Sequence, residues 1–228
     1  MALRLHTIGY GRAIFESTRC GQAAGRKTNK LLGRSQDFGI GVARGGVPVA
    51  YEVALALHSP LDVLVVRKLG VPGHHELAMG AIATGGLRVL NQAVIDALGI
   101  RPAEVDSVAA RELLELERQQ KTYSDGTSLP ALRGRTIIVV DDGLATGSTM
   151  QAAVGVLWQG HPGRIIVAVP VAAPETARKL RNLADRIVYV SAPPDFYAVS
   201  MWYEDFSQTT DEEVRTLLEA RAAVSGPA

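Results

Sequence analysis

Val139-Val140-Asp141-Asp142-Gly143-Leu144-Ala145-Thr146-Gly147-Ser148-Thr149-Met150 is the stretch on which the reading of this chain turns. The residues that lead into it, Arg135 to Val140 (RTIIVV), are continuously β-branched from Thr136 on. Such a run suits a strand buried on both faces of a parallel sheet better than an alternating strand with one wet face. It ends in two adjacent carboxylates, a turn of small residues and a helix start near Ser148. Open α/β sheets take their ligands at the carboxyl ends of the strands, where this turn falls. Gly143 and Gly147 permit tight turns and close approach of backbone. Ser148 and Thr149 bring hydroxyls to the free N–H groups of a helix N-terminus, which attract anions. Asp141 and Asp142 cannot bind phosphate, but they suit hydroxyl groups or the shell of a magnesium ion. An anion site beside a polyol site describes a sugar phosphate. Taken singly, Asp141-Asp142-Gly143 is an ordinary turn and Ser148 an ordinary cap; the combined string carries the assignment.

Working outward, short apolar runs alternate with helical stretches, the pattern of βαβ units. Strands are expected at Asp37–Ala43, Leu61–Arg67, Arg135–Val140, Arg164–Val169 and Arg186–Val190, with helices at Val47–His58, Ser148–Gln159 and Pro174–Ala184. A lead-in helix over about Glu16–Leu32 precedes them, and Ala103–Tyr123 has amphipathic helical spacing. Residues 69–90 are Gly-rich, contain His74-His75, and predict a mobile loop between short strands. The fold class is therefore α/β: a mostly parallel twisted sheet flanked by helices. Its core spans 36–192, and segments 1–35 and 193–228 pack on it as lead-in helix and hood.

Composition agrees. The 228 residues fit one such domain, 47% are hydrophobic and 21% charged, and the net charge is +1. A nucleic-acid binder working through a basic face would carry a larger excess of Lys and Arg, so no nucleic-acid partner is expected. The single cysteine, Cys20, rules out an internal disulfide and a Cys-cluster zinc site. Met1–Phe15 has no apolar core of a signal peptide, and the longest uncharged stretch, Gly143–Gly163, is interrupted by polar residues. The expectation is a cytoplasmic chain with no membrane partner.

Two familiar nucleotide motifs fail. A Walker A loop needs a Lys that Gly143–Thr149 lacks, and Gly39-x-Gly41 is followed by Arg44 where a dinucleotide fingerprint needs its third glycine. What does accompany the acidic turn is Ala43-Arg44-Gly45-Gly46-Val47, after the first strand. Its Gly-Gly N–H groups and one guanidinium can cradle an anion. Arg67-Lys68 opens the Gly-rich segment. Five of the twelve aromatics cluster within Phe196–Phe206.

The 139–150 string resembles the phosphoribosyl-pyrophosphate signature of type I phosphoribosyltransferases. It is most similar to the adenine-type enzymes and to a little-characterised bacterial group bearing Arg-Gly-Gly-Val-Pro-Val-Ala and Asp-Asp-Gly-x-Ala-Thr-Gly. The resemblance covers roughly residues 36–206 in element order. It implies Mg²⁺-dependent transfer of a phosphoribosyl group from phosphoribosyl pyrophosphate to a nitrogenous base, a purine favoured, with release of pyrophosphate. The 5′-phosphate would lie on Ala145, Thr146, Gly147, Ser148 and Thr149, and the ribose hydroxyls on Asp141 and Asp142. Those two carboxylates would meet the metal mostly through hydroxyls or water. Arg44, Gly45, Gly46, Arg67 and Lys68 would take the pyrophosphate, in a loop that in this family often contains a non-proline cis peptide, here around Ala43-Arg44. Lys68 would ride on a flexible loop that excludes water, and Glu76 in that loop would serve as a base. Phe196 or Tyr197 would stack on the nucleobase. Hypoxanthine-guanine enzymes carry an Asp before the Thr-Gly; Ala145 stands there instead, which turns the expectation away from that type. A homo-oligomer, a dimer by preference, is expected. Two other functions fit the same pocket: a regulator that senses phosphoribosyl pyrophosphate without turnover, and a nucleotide hydrolase or phosphorylase.

Overall fold

The computed structural model describes residues 7–8, 12–13, 17–29, 37–123 and 132–225. In chain order they form β1 (Thr7–Ile8), β2 (Arg12–Ala13), α1 (Ser17–Asn29), β3 (Asp37–Val42), α2 (Gly46–Leu57), β4 (Leu61–Leu64), β5 (Val66–Val71), β6 (His74–Ala83), β7 (Leu87–Leu90), α3 (Gln92–Leu98), α4 (Pro102–Tyr123), β8 (Thr136–Val140), β9 (Gly143–Leu144), α5 (Ser148–Trp158), β10 (Arg164–Ala172), α6 (Pro174–Leu180), β11 (Arg186–Ser191) and α7 (Asp211–Ser225). The central sheet runs β11-β10-β8-β3-β4, with β9 continuing beside β10, and every pairing in it is parallel.

Alternation along these strands divides the core into two layers. Ile40, Ile137, Val139, Ile165 and Val167 face α5 and α6, packing on Met150, Val154, Leu157 and Leu180. Ile138, Val140, Ile166 and Ala168 face the other way, onto Ala24 of α1 and Val49, Ala50 and Val53 of α2. Gly39 and Gly41 point at α2. A Cβ on Gly41 would lie 3.0 Å from Ala50 Cβ and Val47 Cα. The Gly-x-Gly that imitates a dinucleotide fingerprint thus serves helix-on-strand packing.

Two expectations are corrected. The predicted strand Leu61–Arg67 is two strands in two sheets. Thr84 is the cause: its Oγ1 accepts from Val65 N at 3.0 Å and its own N–H donates to Val65 O at 3.1 Å. With both polar groups of Val65 taken, the chain leaves the parallel sheet after Leu64. The Gly-rich stretch 69–90 is likewise no loop. It folds into an antiparallel sheet, β5-β6-β7, closed at Pro72-Gly73, where Gly73 has φ 79°. Gly80 is needed for that pairing, since a Cβ there would come 2.5 Å from Val89 O. Leu69, Val71, Met79 and Ile82 bury one face of this sheet against α4 and against Val214 of α7.

The lead-in helix falls at Ser17–Asn29 and packs on α2 and on β10 and β11. Residues 1–6 and 30–36 lie outside the described residues. The C-terminal part does two things. Residues 196–203, with a one-turn 3₁₀ helix at Val199–Trp202, lie on Val171 near the end of β10. Helix α7 packs on α2, α4 and β4, where the buried Arg221 donates from Nε to Ser59 O at 3.0 Å. No helix among the described residues is long and apolar enough to cross a membrane.

Candidate active site

Counting only the strands that build the parallel core, the order is 2-1-3-4-5, and the winding reverses between β3 and β8. At such a switch point the two following loops diverge to opposite faces and leave a crevice at the strand ends. The loop after β3 is Ala43-Arg44-Gly45; the loop after β8 is Asp141-Asp142. They touch. A Cβ on Gly46 would lie 2.6 Å from Val140 O and 2.8 Å from Asp141 Cα, and one on Gly45 would lie 2.5 Å from Asp142 Oδ2. Only glycines allow the Arg-Gly-Gly turn to sit against the acidic pair. The Ala43-Arg44 peptide is cis, as the resemblance implied.

Asp141 and Asp142 occupy a lapse in the ladder with β10. Val140 is opposite Ala168 and Gly143 opposite Val171, with no register partner between; Asp141 N still donates to Ala168 O at 3.4 Å. Both carboxyls are pushed up from the ordinary carboxylate range, first by burial. For Asp141 the charge of Asp142 adds to this. Asp141 Oδ1 accepts from Asp142 N at 3.0 Å. Two half-buried carboxylates side by side call for a hydroxyl donor or a cation. Among the described residues no group of three or more His, Cys, Asp or Glu forms a metal cage. An oxygen-only pair of this kind fits Mg²⁺, which is commonly held by one or two carboxylates with water and ligand oxygens completing its shell.

Beyond the pair, Ala145-Thr146-Gly147 turns into α5. Gly147 takes φ 71°, a region that L side chains rarely enter, and acts as the N-cap of the helix. The turn is anchored by Thr176 Oγ1, which donates to Ala145 O at 2.5 Å. Thr146 Oγ1 and Ser148 Oγ lie 3.3 Å apart, so two hydroxyls gather at the helix start. Lys68 on β5 reaches across and donates from Nζ to Ser148 Oγ at 2.6 Å.

Residues 72–200 match the sequence profile of the phosphoribosyl transferase domain. The chain belongs to the phosphoribosyl transferase family. The match takes in the acidic turn and the Thr-Gly-Ser-Thr loop and leaves Arg44–Gly46 and Lys68 outside. Over 180 residues, 79% of this chain, it is 43% identical to a Mycobacterium tuberculosis protein named provisionally as a phosphoribosyl transferase, recorded in strains CDC 1551 and H37Rv. Those residues span 41% of that relative's length. The crystal structure of TT1426 from Thermus thermophilus superposes with a TM-score of 0.83 at 38% identity, covering 92% of this chain and 99% of that one.

Against this phosphoribosyl transferase frame the expected site residues divide. Arg44, Gly45, Gly46, Asp141, Asp142, Lys68 and the 145–149 loop converge on one crevice. Arg67 does not join them. Consecutive strand residues point to opposite faces, and Arg67 turns to α4, where it pairs with Glu112 Oε2 at 2.7 Å through Nη2 and 3.0 Å through Nε. Lys68 sits on a paired strand, not on a flexible loop. Glu76 lies on β6, and its side chain, like those of His74 and His75, is outside the described residues. Phe196 stacks on Trp202 with centroids 6.4 Å apart and planes at 13°, so one of its faces is already covered. Tyr197 is 80% exposed and free to present its ring.

Three residues at the site escape a reading by motif. Tyr203 donates its hydroxyl to Asp142 O at 2.6 Å. Asp211, the first residue of α7, accepts from Tyr123 OH at 2.7 Å and pairs with Arg44 Nη1 at 3.5 Å. Thr176 holds the Ala145–Gly147 turn. Each is separated from its partner by many residues, and no local pattern announces it.

Proposed function

We propose that this chain transfers a phosphoribosyl group from phosphoribosyl pyrophosphate to a ring nitrogen of a base, a purine favoured, in a Mg²⁺-dependent reaction. The observation that carries the reading is the meeting of Arg44-Gly45-Gly46 with Asp141-Asp142 at the switch point, beside a helix N-terminus bearing Thr146 and Ser148. Backbone N–H groups at the start of α5, with the two hydroxyls and Lys68, form a cationic and donor-rich cup for the 5′-phosphate. The half-buried carboxylates accept from the ribose hydroxyls, and Arg44 and the Gly45–Gly46 backbone meet the pyrophosphate.

The bond between C1 and the pyrophosphate oxygen breaks, and the leaving group keeps the electron pair. The base nitrogen then gives its lone pair to C1 and loses its proton to a general base, for which Glu76 is our assignment. Positive charge at C1 is favoured by the carboxylates of Asp141 and Asp142, much as carboxylates stabilise the sugar cation in glycoside hydrolysis. When bound, Mg²⁺ neutralises charge on the departing pyrophosphate, and Asp141 and Asp142 are the residues that would hold it, mostly through hydroxyls or water.

The assay is pyrophosphate release from phosphoribosyl pyrophosphate and Mg²⁺ with a panel of bases. Base-dependent release together with a nucleotide product is the expected result. Ligand binding without release would make the chain a sensor, and ribose phosphate as product would make it a hydrolase or phosphorylase; either overturns the proposal.

A further inference from the structure

We infer that Tyr203 is a positioning residue for Asp142, through which the aromatic C-terminal segment sets the geometry of the sugar site; the inference rests on the function proposed above. The acidic turn is held from two sides. On one side the Arg-Gly-Gly turn presses on its carboxylates, with Gly45 against Asp142 Oδ2 and Gly46 against Asp141. On the other side is the segment Val199–Tyr203. A Cβ on Gly143 would lie 2.8 Å from both methyls of Val199, so the turn is seated on this segment with no spare room.

Into the same contact Tyr203 delivers a directional bond. Its ring is buried, tilted against Phe206 at 5.3 Å between centroids, and its hydroxyl donates to the carbonyl of Asp142 at 2.6 Å. That carbonyl belongs to the peptide joining Asp142 to Gly143. Fixing its direction fixes the backbone torsion of Asp142, and with it the direction in which the carboxylate leaves the chain. The last ladder bond before the gap is from Asp141 N to Ala168 O at 3.4 Å, and Asp142 has no register partner on β10, so the strand itself does not dictate the orientation of Asp142. The segment that supplies the bond also carries Phe196 and Tyr197, so a base settling there would press on the same short stretch that orients Asp142.

Tyr203→Phe keeps the ring and removes only the hydroxyl. A merely structural role predicts a lower melting temperature and little else. Positioning predicts something different: the affinity for phosphoribosyl pyrophosphate with Mg²⁺, measured by calorimetry, falls about three- to ten-fold, the range expected for one hydrogen bond, while thermal stability changes little. Phe206→Leu is the control, because it disturbs the same packing without touching the turn. It is expected to lower the melting temperature and leave the affinity unchanged. If Tyr203→Phe binds as tightly as the wild type, or if both variants lose affinity in proportion to lost stability, Tyr203 is packing alone and the inference fails. A wild-type chain that does not bind phosphoribosyl pyrophosphate overturns the functional reading first and this inference with it. The two failures are told apart by the wild-type titration.

Discussion

With its ammonium 2.6 Å from Ser148 Oγ, Lys68 stands against the loop that would receive the 5′-phosphate, on a strand paired along its length to β6. A phosphate keeps its charge from substrate to product, so a cation that neutralises it acts equally in the ground state and the transition state. Such uniform binding shows in KM rather than in kcat. Lys68→Ala should therefore raise the KM for phosphoribosyl pyrophosphate about ten-fold or more, since hydrogen bonds to charged groups contribute about 1.5–3 kcal/mol, with kcat changed less. Steady-state kinetics decides it: a fall in kcat at constant KM would return Lys68 to the leaving pyrophosphate, the role a mobile loop would have given it. At this scale the acidic pair and the 145–149 loop are legible in the sequence because they are contiguous and obey local rules. Tyr203, Asp211 and Thr176 are not, because each acts on a partner brought near only by the fold. The opposite lesson comes from Arg67, which is adjacent to Lys68 in sequence and opposite to it in space.

Among the elements, the strands and helices of the parallel core follow their hydrophobic patterns closely, from β3 and α2 to β10 and β11. The middle of the chain does not. Gly70, Gly73, Gly80, Gly85 and Gly86 dilute the apolar signal of β5-β6-β7, and a rule that takes glycine for loop cannot see an antiparallel sheet that requires it. The break between β4 and β5 is equally hidden, since Leu61–Arg67 is continuously strand-like and its division rests on Thr84, nineteen residues away. Strand β4 carries a consequence for stability. Asp62, on the same strand face as the buried Leu64, has a carboxyl pushed up from 3.8 to about 6 by burial, partly offset by the hydrogen bond from Val63 N at 2.7 Å. Between those two pH values the folded chain holds a proton that the unfolded chain has released. Stability from this group is present below about pH 4 and is lost as pH rises through about 6. Asp62→Asn, which keeps the acceptor for Val63 N, should stabilise the fold at pH 8 by up to about 3 kcal/mol, from 1.36 kcal/mol per pH unit of displacement. The gain should vanish towards pH 4. Thermal unfolding of both proteins across that range is the check, and a difference independent of pH would show that the Asp62 carboxyl is not destabilised by burial.

For the molecule as a whole, the parallel sheet places the two loops, and the three-stranded sheet, packed against α5, brings Lys68 to Ser148. The order 2-1-3-4-5 alone sends the Arg-Gly-Gly turn and the acidic turn into one cleft, although ninety-odd residues separate them in the chain. That meeting is what the functional account depends on, and it can be tested without knowing the acceptor base. Phosphoribosyl pyrophosphate with Mg²⁺ is titrated calorimetrically into the wild type and into the Asp141→Asn/Asp142→Asn variant. Both carboxyls are displaced upward by burial, so neutral amides should leave folding intact. The meeting of the two turns predicts saturable binding to the wild type and a loss of at least ten-fold in affinity in the variant at unchanged melting temperature. Equal affinity in the two proteins would contradict it.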